Sequence, residues 1–209
     1  MSMKVGVIGC GNISGAYLKA ARSFPQQIRI TACADLNAEA TKAKAAEFGL
    51  QAMTVDELLA DPEIGLVLNL TNPAAHAELN LRCLEAGKHV HVEKPFALDL
   101  DAANAVLKLA KQRKLRTGSA PDTFLGGGHQ TCRKLLDGGA IGRPVGGTAF
   151  MLCPGHESWH PNPGFYYLKG GGPMLDMGPY YLTALVNMLG PAKRVCGIVG
   201  AAHQERIAT

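Results

Sequence analysis

Apolar and polar positions in the first half of the chain follow two alternating periods. Val5-Gly6-Val7-Ile8 is a short apolar run, and residues 12–22 then take up a helical spacing. Residues 28–34 read as a second strand and residues 37–48 as an Ala-rich helix. Leu66-Val67-Leu68 is a third strand core, followed by a helix over residues 73–85 that stops before Gly87. His89-Val90-His91-Val92 is a fourth strand, followed by a helix over residues 99–114. Short apolar strands alternating with helices predict βαβ units and a parallel sheet. The Val/Leu/Ile character of the strands suits burial on both faces. The last of these helices places Leu100, Ala103, Val106, Leu107 and Ala110 on one stripe. Lys108, Lys111, Arg113 and Lys114 gather toward its C-terminal end, where cations complement the helix dipole.

From Pro121 the texture changes. Gly126-Gly127-Gly128, Gly138-Gly139 and Gly146-Gly147 punctuate the chain. The pattern predicts a strand over 145–153, a Pro/Gly/His loop, a helix over 173–189 and a strand over 194–199. A boundary near 120–125 therefore separates a domain of residues 1–121 from a second part, 122–209. Two strands and a pair of helices rarely make an independent sheet. The second part reads as a truncated domain or as one completed by another subunit.

Composition narrows the class. With 47% hydrophobic and 18% charged residues in 209, the chain is a globular one rather than a disordered one. A net charge of +4, without basic runs interleaved with aromatics, gives no reason to expect a nucleic-acid partner. No apolar run approaches the length of a membrane span. The start shows no secretory leader pattern, and six scattered cysteines without a CxxC pair read as reduced thiols, so the expectation is a cytoplasmic protein.

Gly9-Cys10-Gly11-Asn12-Ile13-Ser14-Gly15 follows the first strand and opens the first helix. A dinucleotide-binding turn uses a first glycine for the tight turn and a second for close approach of the pyrophosphate. A third small residue then serves helix–strand packing. Gly9 and Gly11 take the first two roles, and Ser14 stands where the third glycine would be. The helix start at Asn12 and Ile13 would present backbone N–H groups to phosphate. Asp35 closes the second strand, where a carboxylate bonds adenosine ribose hydroxyls and repels a 2′-phosphate. That favours NAD over NADP. A plain packing turn, with Asp35 capping the next helix, is the alternative.

Two further motifs follow. Val92-Glu93-Lys94-Pro95 ends the fourth strand, so Lys94 falls at the carboxyl edge of the sheet, where open α/β sheets bind ligands. Gly170-Gly171-Gly172-Pro173-Met174-Leu175-Asp176-Met177-Gly178-Pro179-Tyr180-Tyr181 leads into a helix, with Asp176 and Tyr180 four apart and so on one face. With the Gly9/Gly11 turn, Thr71-Asn72-Pro73 and His76, these motifs resemble the Gfo/Idh/MocA oxidoreductase family. They span most of residues 4–190.

The resemblance implies a doubly wound Rossmann domain followed by an α/β domain on an open, mainly antiparallel sheet, with NAD or NADP as cofactor. It implies oxidation or reduction of a sugar, inositol or related polyol, and association into a homo-oligomer through the C-terminal sheet. It places Thr71, Asn72, His76, Glu93 and Lys94 on the cofactor, and Lys94 on the substrate as well. Asp176 would orient the acid–base group. The family often has His four residues after that Asp, and a second Asp further on; this chain has Tyr180 and Thr183. Taking a carbinol proton needs a base, and a free Tyr, at ~10, is a poor one near neutrality. A neighbouring ammonium lowers that value, which suggests a Lys94/Tyr180 pair with Asp176 positioning Lys94. In the loop shared with Tyr166 and Lys169, His160 is a second candidate base, and Trp159 offers an aromatic face to sugar C–H bonds.

Two other readings remain at this level. The departures at Tyr180 and Thr183 suit a catalytically inert NAD(H)-binding sensor or assembly protein. His156-Glu157-Ser158-Trp159-His160 is literally HExxH, a zinc-hydrolase pattern when helical. Pro154-Gly155 before it and Pro161-Asn162-Pro163 after it leave no room for that helix. His89 and His91, two apart on a strand, share a face but read as satisfied residues rather than ligands.

Overall fold

The computed structural model describes residues 2–160, 163–168, 170–201, 203 and 205–207. Pro161, Asn162 and Lys169 of the loop discussed above lie outside these. The chain divides into two compact units, Met1–Ala120 and Pro121–Thr209.

The first unit is built on β1 (Met3–Ile8), β2 (Ile28–Ala34), β3 (Gln51–Ala52), β4 (Leu66–Asn69), β5 (His89–Val92) and β6 (Thr117–Ser119). They form one sheet in the order β3-β2-β1-β4-β5-β6, and every pairing is parallel. The connections are α1 (Ser14–Ala21), α2 (Ala38–Phe48), α3 (Val55–Ala60), α4 (His76–Glu85) and α5 (Leu100–Arg113). Strand residues face alternate sides. Val5, Val7, Cys33 and Leu68 pack with Leu18 and Ala45 in one cluster. Ile8, Ala32, Ala34, Val67 and Val90 pack with Leu58, Leu84 and Val106 in the other. Burying an aliphatic side chain of this size stabilises by about 1.5–3 kcal/mol, and many of these are fully buried. Gly6 lets α3 sit close, since a Cβ there would fall 2.7 Å from Leu58 Cδ2.

Local chemistry sets the helix ends. Asn37 caps α2 by accepting from the N–H groups of Glu39 and Ala40, and Gly49 ends it at φ 70°. Thr54 and Glu57 form a capping box at α3, and Asp99 accepts from Ala102 N–H at α5. The glycine turn delays α1, which starts at Ser14 rather than at Asn12. The α5 stripe is also rotated. Val106 and Ala110 are buried, whereas Leu100 and Leu107 are exposed.

The second unit holds α6 (Gly127–Asp137), α7 (Pro173–Asp176) and α8 (Gly178–Leu189), with 3-10 turns at His156–Ser158 and Gly164–Tyr167. Arg133 of α6 donates to the α8 carbonyls of Asn187, at 2.8 Å, and Met188, at 3.2 Å, and pairs with Asp137. A cation there suits the negative end of α8. The strands expected over 145–153 and 194–199 are absent among the described residues, which contain no strand after Ser119. Extended segments need a hydrogen-bonding neighbour to become strands, and none pairs with either segment. Their apolar side chains stay in water: Val145, Leu152, Val195, Ile198 and Val199 are all strongly exposed. The single helix expected over 173–189 is broken at Met177, so Asp176 ends α7 and Tyr180 belongs to α8.

Candidate functional site

In the first unit the carboxyl ends of β1, β2, β4 and β5 carry the candidate residues. The strand order reverses beside β1, with β2 on one flank and β4 on the other. Such a switch point opens a crevice at the carboxyl edge. Gly9 has φ 102°, and a Cβ there would lie 2.6 Å from Leu70 C and O and 2.8 Å from Thr71 N. Only glycine fits. Its N–H donates to Ala34 O at 2.9 Å. At Gly11 a Cβ would meet nothing within 4 Å, so this side of the turn is open. Ser14 is buried, and its hydroxyl donates to Gly11 O at 2.7 Å, closing the turn from within. Gly11, Asn12 and Ile13 are exposed, and among the described residues their N–H groups have no protein acceptor. The turn thus presents outward-facing N–H groups at the start of α1, an arrangement that binds anions.

Asp35 is fixed beside this turn. Its Oδ2 accepts from Cys10 N–H at 2.7 Å and its Oδ1 from Asn37 N–H at 2.9 Å. The α2 cap is Asn37, not Asp35. Cys10 itself is buried, and hydrogen bonding with the Cys33 thiol, then burial, pushes its thiol up, away from nucleophilic chemistry.

At the end of β4, buried Asn69 organises the Thr71 loop. Thr71 Oγ1 donates to Asn69 Oδ1 at 2.7 Å, and Asn69 Nδ2 donates to Asn80 Oδ1 at 2.9 Å and His76 O at 3.2 Å. Asn72 is exposed and precedes the 3-10 turn Pro73–Ala75. His76 is fully buried. Its Nδ1 lies 2.7 Å from Pro95 O and its Nε2 3.0 Å from Thr71 O, so the ring ties the loops after β4 and β5 together. Glu93 is likewise engaged, accepting from the Tyr17 hydroxyl of α1 at 2.7 Å and from Lys94 N–H at 3.0 Å. Lys94 is half-buried and precedes a cis peptide to Pro95. Tyr17 and Asn69 were not singled out in the sequence. A tyrosine three residues into a helix and an asparagine ending a strand give no local sign of their distant partners.

In the second unit, Asp176 lies against His156, with Nε2 3.1 Å from Oδ2. The imidazole stacks on Tyr166 with ring centroids 3.6 Å apart, and Trp159 sits 4.8 Å away. His160 packs edge-on to Trp159 and Phe165. Trp159 leaves 64% of its surface in water. Desolvation first, then the Asp176 charge, pushes the Tyr166 hydroxyl up to about 12. Glu157 is held by other partners. It accepts from the Tyr167 hydroxyl and pairs with Arg206 at 2.7 Å, and these contacts hold its carboxyl below the usual range. The HExxH segment is a single 3-10 turn. No three potential ligand side chains cluster anywhere among the described residues. The sequence showed His156 only as part of that pattern, and its pairing with Asp176 is a tertiary fact.

Residues 3–120 match the family model for the oxidoreductase family with an NAD-binding Rossmann fold, GFO_IDH_MocA. The chain belongs to the Gfo/Idh/MocA oxidoreductase family. Residues 129–209 match the GFO/IDH/MocA C-terminal domain. Inositol 2-dehydrogenase of Rhizobium meliloti (strain 1021) is 31% identical over 177 residues, covering 85% of this chain and 52% of that protein. The dTDP-3,4-didehydro-2,6-dideoxy-alpha-D-glucose 3-reductase of Streptomyces violaceoruber is 30% identical over 199 residues, covering 95% and 58%. Among solved structures, KijD10, a 3-ketoreductase from Actinomadura kijaniata in complex with NADP, superposes with a TM-score of 0.70 at 27% identity. That match covers 91% of this chain and 56% of KijD10. The chain thus spans somewhat more than half the length of these relatives. No helix among the described residues is long and apolar enough to cross a membrane.

Proposed function

We propose that this protein takes part in NAD(P)-dependent oxidation or reduction of a sugar, inositol or related polyol at a carbinol carbon. The observation that carries the reading is the β1 turn. Its outward N–H groups and open Gly11 face fit a pyrophosphate, and the Asp35 carboxylate beside it fits ribose hydroxyls. Each Asp35 oxygen accepts one backbone N–H and keeps lone-pair capacity for a hydroxyl donor. The fixed negative charge disfavours a 2′-phosphate, so NAD is the preferred cofactor. A bound nicotinamide ring would supply the hydride acceptor or donor. The chain's own part is to hold the dinucleotide with residues 9–13 and Asp35, and to place the Lys94 ammonium at the carboxyl edge of β5. In the second unit, Tyr180 is the proposed base and Asp176 the residue that orients the acid–base group, with Trp159 and His160 as the sugar-facing surface. The relatives' names, an inositol dehydrogenase and a dTDP-sugar reductase, support the substrate class.

Titration with NADH and NADPH, followed by fluorescence, tests this first. The expected result is tighter NADH binding that is lost in Asp35→Ser, together with polyol turnover that falls at least ~100-fold in Lys94→Met and Asp176→Asn. Equal weakness toward both cofactors sinks the reading. Tight NADH binding with no turnover on any polyol supports the inert sensor instead.

A further inference from the structure

We infer that His156 is a positioning residue that orients the Asp176 carboxylate through its Nε2–H. The inference rests on the proposed role of Asp176 and adds a residue to it. The geometry is local to the second unit. Nε2 lies 3.1 Å from Asp176 Oδ2, with His156 95% buried and the Asp176 side chain 18% exposed. A carboxylate only accepts, so Nε2 is the donor. A carboxylate held by a directed N–H has its second oxygen fixed in direction, which a residue that orients an acid–base group requires.

Three features hold the imidazole in this pose. The Tyr166 ring covers one face at 3.6 Å and 16°, and Trp159 stands on another side at 4.8 Å. Gly155, just before it, has φ 136°, a conformation left to glycine. The nearest competing carboxylate, Glu157, is drawn off by Tyr167 and Arg206. Among the described residues, the ionisable groups around His156 include Asp176, Tyr166, Glu157, Tyr167 and His160. A packing role alone does not explain the residue. His156 Nδ1 is buried with no protein partner among the described residues, and so is Tyr166 Oη on the stacked ring. A phenylalanine would stack equally well without an orphaned nitrogen. What a histidine adds is the N–H on Asp176.

Two substitutions separate donor from ring. His156→Gln keeps an amide N–H near the Nε2 position and loses the ring. His156→Phe keeps the ring and loses the donor. The expected result is a kcat within ~10-fold of wild type for His156→Gln and a fall of ~100-fold for His156→Phe. KM should move less than ~3-fold in His156→Phe, and NADH affinity should not change. Phe matching wild type, or outperforming Gln, would overturn the inference in favour of packing. Nitrogen-15 NMR of the imidazole gives a readout independent of turnover. An Nε2–H tautomer whose proton signal shifts upfield in Asp176→Asn supports the clamp, and an Nδ1–H tautomer overturns it. If Asp176→Asn leaves kcat unchanged while the Nε2–H tautomer is present, the assigned role of Asp176 fails and the pairing stands.

Discussion

The two units solve the same problem, covering apolar surface, to different degrees. In Met1–Ala120 the sheet has an aliphatic cluster on each face, and side chains such as Leu58, Ile64, Leu84 and Val106 are wholly buried. In Pro121–Thr209 no Ala, Val, Leu, Ile or Met side chain is buried among the described residues. The buried rings there are Pro121, Pro163 and the stacked pair of Tyr166 and His156. The first unit therefore owes its order to burial of aliphatic area. The second is ordered around an aromatic and polar cluster and a cation at a helix end. The same difference separates the chemistry. The proposed cofactor side is backbone geometry held by a sheet with a packed core on each face, whereas the proposed substrate side is side chains held by one another.

The largest contrast should appear in the core. Leu58→Ala removes a fully buried side chain packed against Gly6, and should cost about 3–4 kcal/mol. Leu135→Ala on α6, whose side chain is 54% exposed, should stay within about 0.5 kcal/mol. Urea unfolding followed by far-UV circular dichroism measures both. A cost above about 2 kcal/mol for Leu135→Ala would mean that the second unit buries this face in solution, and the comparison would break.

The contrast also explains what the sequence made legible. Period and turn chemistry are local, so β1, β2, β4, β5, the helices between them and the Gly9 turn follow from residues near in sequence. The two-residue β3 and the glycine-containing β6 carry no apolar run, and α3 is only six residues long. These form because neighbouring strands and the cluster around Leu58 recruit them. The strand patterns at 145–153 and 194–199 have no hydrogen-bonding neighbour among the described residues, so pattern alone did not make a strand. The site divides the same way. Gly9, Gly11, Asp35 and Lys94 are readable because each sits at a strand end fixed by the motif. The fully buried placement of His76, the Tyr17–Glu93 bond and the His156–Asp176 pair depend on contacts 19 to 76 residues apart, which spacing does not encode.

Glycines sharpen the comparison at the next level. Gly9 and Gly172 both have positive φ, 102° and 85°. At Gly9 an added Cβ also meets the backbone of Leu70, just past β4, at 2.6 Å, whereas at Gly172 it meets nothing within 4 Å. Gly172→Ala should thus cost only the conformational strain, about 1 kcal/mol. Gly9→Ala must move a packed strand end as well, and should cost about 2–3 kcal/mol and abolish NADH binding. Equal costs would mean that the β1 turn yields more easily than a sheet-anchored turn should. NADH binding retained in Gly9→Ala would uncouple the turn from the cofactor.

The smallest effect lies at the alkaline end and tests the aromatic cluster. Burial and the Asp176 charge raise the Tyr166 hydroxyl from 10.0 to about 12 in the folded chain. The folded state then keeps a proton that the unfolded chain releases. This contribution is complete below pH 10 and is lost as pH rises through about 12. Absorbance near 295 nm should show a late-titrating tyrosine that disappears in Tyr166→Phe. Tyr167 is also raised, by its bond to Glu157, so the variant rather than the titration curve makes the assignment. At neutral pH the same substitution should leave stability unchanged or slightly higher. Tyr166 Oη is buried without a partner among the described residues, and removing an unsatisfied hydroxyl removes a desolvation cost. The stack on His156 survives in phenylalanine, so the Asp176 contact should survive too. A loss of about 1 kcal/mol or more at neutral pH would instead give that hydroxyl a partner in solution. The second unit would then be held by a hydrogen-bond network as well as by stacking, and its contrast with the aliphatic core of the first would be one of polarity rather than of looseness.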